Sequence, residues 1–369
     1  MGLSASSAST MSPALSPSFH RLSVAQVIAD TAESAVIRLL VPNALRDTFV
    51  FRPGQHLTIR KPDEDGEHRR SYSICNQPGE DVLAIGVKRV PGGIVSPWLL
   101  SLQPGDELEA LHPHGSFVID FASSQKRHYV AIAGGSGITP ILALLSHALA
   151  EEPESRATLL YGNRDARSTM LLDALLGLKD RYLDRFALHL VYEQELGSLP
   201  AHAGPIGDAD LAALGRVHGF PREAGERYLV CGPGVMTAKI LDGLARLGVR
   251  SDAINAEFFN APASKGAARP LRVSSTPTAS LVAVLDGRRW PLAYRPEMGS
   301  ILEGMLSVNI PAPFACRTAV CGACKGKVIT GRAAMRRNYA LHKDDVERGY
   351  ILACQAYPET EDVVIDFDG

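Results

Sequence analysis

The sequence predicts a multidomain protein in which an antiparallel β-barrel, an α/β domain with a parallel sheet and a small α+β domain follow one another. Three observations carry that expectation. Up to about Phe121, short strand candidates are separated by turn signals. From His128 onward, apolar strands alternate with helical patterns behind glycine-rich turns. Near the C-terminus Cys316, Cys321 and Cys324 stand in a CxxxxCxxC loop, answered by Cys354. At 369 residues the chain is also long for a single core.

The barrel is expected over residues 18–123. Residues 23–27, 35–40, 56–59, 71–74 and 83–87 read as strands, punctuated by Pro53-Gly54 and Pro104-Gly105. On an edge-strand candidate, Arg70-Ser-Tyr72-Ser73-Ile74 offers a cation, an aromatic face and a hydroxyl. A flavin needs those three, for its phosphates, its ring and its reactive N5. Taken alone, the stretch also reads as an ordinary strand with one exposed Arg. Gly92-Gly93-Ile-Val-Ser96-Pro97 places Ser96 as an N-cap and Pro97 at the first helical position, so that free N–H groups receive a phosphate. Pro113-His-Gly115-Ser-Phe117 is a turn before a strand and by itself carries no chemistry.

The α/β domain is expected over residues 124–261, with strands at 128–133, 157–161, 188–192 and 227–230. After the first strand, Gly134-Gly135-Ser-Gly137-Ile-Thr139-Pro140 sets a glycine-rich turn against a helix, with Thr139 as N-cap and Pro140 as first helical residue. That arrangement receives a pyrophosphate. After the fourth strand, Cys231-Gly232-Pro233 leads into a helix over residues 235–247. At the end of the second strand an NAD site usually carries an acid for the ribose 2′-hydroxyl, whereas Arg accommodates a 2′-phosphate. Here Arg164, Arg167 and Ser168 surround Asp165, which favours NADPH and leaves NADH open. A solvated Arg–Asp pair is the plain alternative.

Residues 262–276 are rich in Ala, Ser, Pro and Lys and read as a linker; 277–369 form the last domain. It opens with strands at 281–285 and 290–294, joined as a hairpin across Asp286-Gly287. A helix at 300–306 precedes the cysteine loop, and segments 326–329, 343–348, 351–354 and 363–367 follow it. The thiol spacing is the plant-type pattern of a [2Fe–2S] cluster. Zinc also accepts four thiolates, but its usual spacing is two short knuckles rather than three ligands in one loop. Ala319, Gly322 and Ala323 are small enough for backbone N–H groups to approach the sulfurs. Of the remaining cysteines, Cys75 reads as a small buried hydrophobe, while Cys231 lies on a turn directed at the expected nicotinamide site.

Composition excludes several classes. A net charge of -2 without long runs of one sign gives no reason to expect nucleic acid or a membrane surface. The apolar helix candidate at 141–150 is far short of a bilayer span. Six cysteines with four in one metal pattern fit a reducing cytoplasm better than a disulfide framework. Residues 1–17, rich in Ser, Ala and Pro, read as a disordered tail in preference to an acylation or transit signal.

In their order, the Arg70, Gly92, Gly134 and Cys231 motifs and the cysteine loop resemble the ferredoxin–NADP reductase superfamily fused to a β-grasp ferredoxin domain. Closer stretches, among them Phe51-Arg-Pro-Gly-Gln-His-Leu-Thr58, Tyr161-Gly-Asn-Arg164 and Glu347-Arg-Gly-Tyr-Ile-Leu-Ala-Cys-Gln355, are similar to the reductase components of phenylacetyl-CoA ring 1,2-epoxidases. That family usually has Lys-Gly-Gly after the first cysteine; this chain has Arg317-Thr318-Ala319. The resemblance implies FAD, with Tyr72 on the isoalloxazine, Ser73 near N5, Arg70 on the phosphates and Gly93 and Ser96 at the pyrophosphate, Ile74 and Gly92 beside them. It implies Gly135, Gly137 and Thr139 at the NADPH phosphates and Arg164 and Ser168 at the 2′-phosphate. Cys231, Gly232 and Pro233 fall at the nicotinamide, with Glu257 and Phe259 as the acidic and aromatic pair beside the flavin. Cys316, Cys321, Cys324 and Cys354 become the cluster ligands.

NADPH delivers two electrons as a hydride and the cluster carries one, so a flavin between them accepts two and releases them singly. The expected partners are the subunits of a diiron oxygenase. Two other readings stay open: a reductase for a steroid hydroxylase or acyl desaturase, and a redox-sensing regulator. Flavin and nicotinamide motifs in one chain speak against the sensor.

Overall fold

A computed structural model describes residues 19–64, 66–193, 205–221, 225–262 and 278–368. The expected tail at 1–17 and nearly all of the linker at 262–276 lie outside the described residues.

The first sheet contains β1 His20–Thr31, β2 Ser34–Leu40, β3 His56–Asp63, β4 Gly66–Ser73, β5 Val82–Lys88 and β6 Glu107–Ala110, ordered β4-β3-β6-β1-β2-β5. All its pairings are antiparallel. The two edges are drawn together where Ile74 bridges Ile85 and the Cys75 N–H donates to the Ala84 carbonyl at 2.8 Å. Leu22, Ile37, Leu57, Ile59, Ile74 and Ile85 fill the interior. Strand β6 has no counterpart in the sequence reading, because four residues are too few to display a period of two.

The second sheet is parallel, ordered β11-β10-β7-β8-β9, from β7 His128–Gly134, β8 Arg156–Asn163, β9 Phe186–Tyr192, β10 Glu226–Gly232 and β11 Ile254–Phe258. The helices between its strands are α2 Ile138–Glu151, α3 Leu172–Arg181, α4 Asp208–His218 and α5 Gly234–Arg246, after the short α1 Val95–Leu99 of the barrel. Two separate apolar clusters cover the sheet, one holding residues of α2 and α3 and the other residues of α4 and α5. Four strands are expected here; the fifth, β11, pairs with β10 so that Glu257 stands beside Cys231.

The third unit has β12 Ala279–Leu285, β13 Arg288–Tyr294, β14 Lys325–Thr330, β16 Tyr350–Leu352 and β18 Asp362–Asp366, ordered β13-β12-β18-β14-β16. The pair β15 Ala333–Met335 and β17 Ala356–Pro358 forms a small second sheet, with α6 Ile301–Ser307 and α7 Lys343–Glu347 alongside. The expected hairpin turn is present: Asp286 and Gly287 have φ of 55° and 68°, and the Asp368 carboxylate accepts both of their N–H groups. The Ser300 hydroxyl caps α6 with Glu303 in return.

This unit rests on the other two. Arg69 of β4 donates to the Phe314 carbonyl at 3.3 Å and its guanidinium lies 3.9 Å from the Phe314 ring centroid. The Ser116 hydroxyl donates to the Ala340 carbonyl at 3.1 Å, and the ring of Phe258 of β11 packs at a tilt against Tyr339 with centroids 5.2 Å apart.

Candidate functional site

Strand alternation puts Arg70 and Tyr72 on one face of β4 and Ser73 on the other. Tyr72 is half-buried, its hydroxyl pushed above the usual range by burial. Arg70 is exposed and donates to the Arg69 carbonyl at 2.7 Å. Ser73 is buried and pairs with His56 on β3. Ile74 is buried, its N–H donating to the Gln55 carbonyl at 2.9 Å.

Two helix starts differ from expectation. Helix α1 begins at Val95 after Ile94, so Ser96 lies inside its first turn and accepts the Val90 N–H on its hydroxyl at 3.0 Å. With the Gly93 N–H donating to the Val90 carbonyl at 2.9 Å, that bond closes the loop around Gly92. Likewise a single 3-10 turn, Gly135–Gly137, leads directly into α2 at Ile138. Thr139 therefore sits in the first turn, with its hydroxyl donating to the Ser136 carbonyl at 3.0 Å. In both places a nearby backbone partner captured the side-chain oxygen that reads as a cap in sequence.

The two glycine turns of the α/β domain abut. A methyl group on Gly137 would meet the Cys231 carbonyl oxygen at 2.2 Å and the Gly232 nitrogen at 2.7 Å. Around Gly92 and Gly135, by contrast, a Cβ would meet nothing within 4 Å, so the two turns expected to receive phosphates stand open. Pro233 precedes α5, and the Thr237 N–H donates to its carbonyl. At the end of β8, Arg164 is shared between Glu33 at 3.4 Å and Asp165 at 3.1 Å. Ser168 is buried in a capping box with Asp165, its hydroxyl donating to the Asp165 carbonyl at 3.0 Å. Of the two residues expected at a 2′-phosphate, the exposed Arg164 offers a free edge and Ser168 has its hydroxyl engaged.

Between the barrel and β11 lies a group that only the fold brings together. The Cys231 thiol lies 3.9 Å from one Glu257 oxygen, and the other Glu257 oxygen lies 3.7 Å from Nδ1 of His56. Burial pushes the Glu257 carboxyl up to about 8 and the His56 ring down to about 4, and burial also raises the Cys231 thiol. All three are therefore uncharged at neutral pH. His56 Nε2 is buried without a hydrogen-bond partner, which marks a place for a polar atom of a bound group. Phe259 is more than a third exposed beside them, its N–H on the Gly232 carbonyl. His56 escaped the sequence reading as a site residue; a lone His opening an apolar strand, His56-Leu-Thr-Ile59, was the available signal.

Above pH 8 the Glu257 charge appears in a buried site, which, on the resemblance's expectation that the flavin edge lies here, opposes the arrival of a hydride. The rate of NADPH-driven dye reduction is accordingly expected to fall as pH rises through about 8, and Glu257→Gln is expected to remove that limb. Steady-state rates between neutral and alkaline pH check both.

In the third unit the thiols fall into two interacting pairs, Cys316 with Cys321 and Cys324 with Cys354. Among the described residues no three such ligands close on a single point. Paired sulfurs suit a two-iron cluster better than one tetrahedral ion. The Thr318 N–H donates to Cys316 Sγ at 3.3 Å and the Cys316 N–H to Cys321 Sγ at 3.5 Å. The Ala319 and Ala323 amides are aimed at Cys354 and Cys321. Left-handed backbone at Arg317, Ala319 and Gly322, with φ of 57°, 66° and 71°, turns these amides inward. The donor set and its amides thus fit a [2Fe–2S] cluster.

Ala319 holds that conformation with a methyl group that is 1% exposed. Ala319→Gly would relieve about 1–2 kcal/mol of left-handed strain and lose about 0.8 kcal/mol from one buried methyl. The holoprotein is therefore expected to gain less than about 1 kcal/mol, read as a thermal shift of a few degrees at most.

Residues 22–119 match the oxidoreductase FAD-binding domain model, 131–241 the oxidoreductase NAD-binding domain model and 285–359 the 2Fe-2S iron-sulfur cluster binding domain model. The chain is 38% identical to a component of the 1,2-phenylacetyl-CoA epoxidase of Escherichia coli K12, covering 95% of this chain and 98% of that one. It is 34% identical to the ferredoxin reductase component of 3-ketosteroid-9-alpha-monooxygenase from Mycobacterium tuberculosis, over 94% and 95% of the two chains. The solved phthalate dioxygenase reductase shares the fold, with a TM-score of 0.54 at 22% identity over 95% of this chain and 98% of that one. No described helix is long and apolar enough to cross a membrane. The protein is thus an oxidoreductase that belongs to the ferredoxin–NADP reductase superfamily, among the oxygenase-associated reductases that join FAD-binding, NAD-binding and C-terminal [2Fe–2S] domains.

Proposed function

We propose that the chain is the cytoplasmic reductase of a phenylacetyl-CoA ring 1,2-epoxidase in phenylacetate catabolism, fed by NADPH. The observation that supports this reading is the 38% identity along almost the full length of a phenylacetyl-CoA epoxidase component, against 34% for the steroid monooxygenase reductase. The bound groups supply the redox chemistry: FAD takes up the two electrons of a hydride and the cluster carries one at a time.

The chain's residues supply position. Gly135 leaves room for the dinucleotide phosphates, Gly137 lets its turn close against the Cys231 turn, and Arg164 gives NADPH a cation for its 2′-phosphate. Arg70, Gly93 and Ser96 hold the flavin's phosphate end, with Tyr72 and Phe259 against its ring. Ser73 and the uncharged His56–Glu257–Cys231 group hold protons at its reactive edge without adding charge there. On the far side of this group, Val320 and Cys321 share a small cavity with His56 and Glu257, closed by Tyr339. The cluster loop therefore adjoins the flavin site within one chain, a short path for electron transfer.

Reconstitution tests the reading. With the oxygenase subunits of the epoxidase, NADPH and phenylacetyl-CoA, the protein is expected to support ring epoxidation. Failure there, with turnover of a steroid oxygenase instead, overturns the substrate assignment and favours the steroid-type reading supported by the mycobacterial relative.

A further inference from the structure

The cluster ligands lie in the longest stretch of the chain without an acid. Between Glu303 and Asp344 there is no Asp or Glu, but there are seven lysines and arginines, in a chain of net charge -2. Folding sorts these cations. Lys325 is neutralised by Asp345 at 3.1 Å and lies against Tyr350. Arg317 and Arg336 have no ion-pair partner among the described residues.

These two arginines border the ligand loop. The Arg317 carbonyl accepts the Gln355 side-chain amide at 3.1 Å, and the Gln355 carbonyl accepts the Arg336 N–H at 2.9 Å. Arg317 follows the first ligand and Gln355 the fourth, so Arg317, Gln355 and Arg336 form a continuous rim across the loop. The Phe314 ring meets the guanidinium of Arg317, 4.7 Å from its centroid, and that of Arg69 at 3.9 Å, which anchors the first cation of the rim. Arg317 and Thr318 are exposed, while Val320 and Cys321 turn inward to the cavity shared with His56 and Glu257.

We propose that the rim of Arg317, Thr318, Gln355 and Arg336 is the docking surface for the electron acceptor, and that the acceptor is a protein with an acidic face around its own redox centre. The inference rests on the reading that electrons leave through the cluster. Each transfer moves one electron, drawn from NADPH, out of the cluster, and the acceptor is reduced by one. Unpaired surface cations around an exit steer an acidic partner and set its orientation, an effect that salt screens.

The probes are native cytochrome c, which is basic, and succinylated cytochrome c, which is acidic. Titration calorimetry with the holoprotein is expected to show the acidic form binding more tightly at low salt and losing about tenfold or more in affinity near 0.15 M salt. Arg336→Glu is expected to weaken that binding about tenfold and to leave NADPH-driven dye reduction unchanged. Equal binding of the two cytochromes, binding insensitive to salt, or wild-type binding by Arg336→Glu each overturns the proposal. Cys321→Ser separates the two readings. If that variant still reduces cytochrome, the exit through the cluster is wrong, whereas a charge-insensitive wild type with a dead Cys321→Ser sinks only the docking surface.

Discussion

Cys321→Ser is expected to stop electron delivery to an oxygenase while leaving NADPH-driven reduction of a small dye close to wild type. Cys321 is buried against Cys316 on one side and lines the cavity next to Glu257 on the other, so its loss removes the expected ligand that borders that cavity. Altering only the outer partners of a metal costs roughly 10–100-fold, and removing a ligand should exceed about 100-fold in oxygenase turnover. The dye takes electrons upstream, where Tyr72, Ser73 and Glu257 are unchanged. Parallel assays of product formation and dye reduction give the result; a variant that still supports full oxygenase turnover refutes the electron path.

Gly137→Ala is expected to have the largest effect on the nicotinamide side. The added methyl would meet backbone atoms of Cys231 and Gly232 at 2.2–2.7 Å, and backbone has no rotamer through which to yield. Strands β7 and β10 are paired in register at Ala133 and Cys231, so relief requires prying the two turns apart. Overpacking of this kind costs about 1–3 kcal/mol, and at about 1.4 kcal/mol per decade that is roughly five- to a hundredfold in KM for NADPH if the strain falls on the open turn. Gly177→Ala is the control: it lies in α3 with nothing within 4 Å of the new methyl, and should gain up to about 1 kcal/mol of helix stability. Thermal melts and KM values of the two variants separate a local clash from a general effect of alanine. A Gly137→Ala protein with unaltered melting and KM would show that the turns are not in contact.

The sequence disclosed what depends on covalent spacing and lost what depends on tertiary register. The coming together of Cys316 with Cys321 and of Cys324 with Cys354 was legible because a cluster demands thiols at fixed separations. The hairpin at Asp286-Gly287 was legible because only a few residue pairs tolerate two successive positive φ angles. Ser96 and Thr139 were misplaced as caps, since nothing local announces that the Val90 N–H and the Ser136 carbonyl would claim their hydroxyls. Strands β6, β11, β15 and β17 were missed because their pairing comes from distant partners. His56 was overlooked for the same reason: its meaning comes from Glu257, some two hundred residues away in sequence and 3.7 Å away in space.

The two-sidedness of the cysteine loop has a kinetic consequence. Val320 and Cys321 face the interior, whereas Arg317 and Thr318 face solvent, so with the docking proposed above loading and discharge would use different surfaces. A seated acceptor does not block the internal route. An oxygenase that needs two electrons can then receive both during one residence, with no dissociation between them, and the second delivery is timed by the reductase rather than by diffusion.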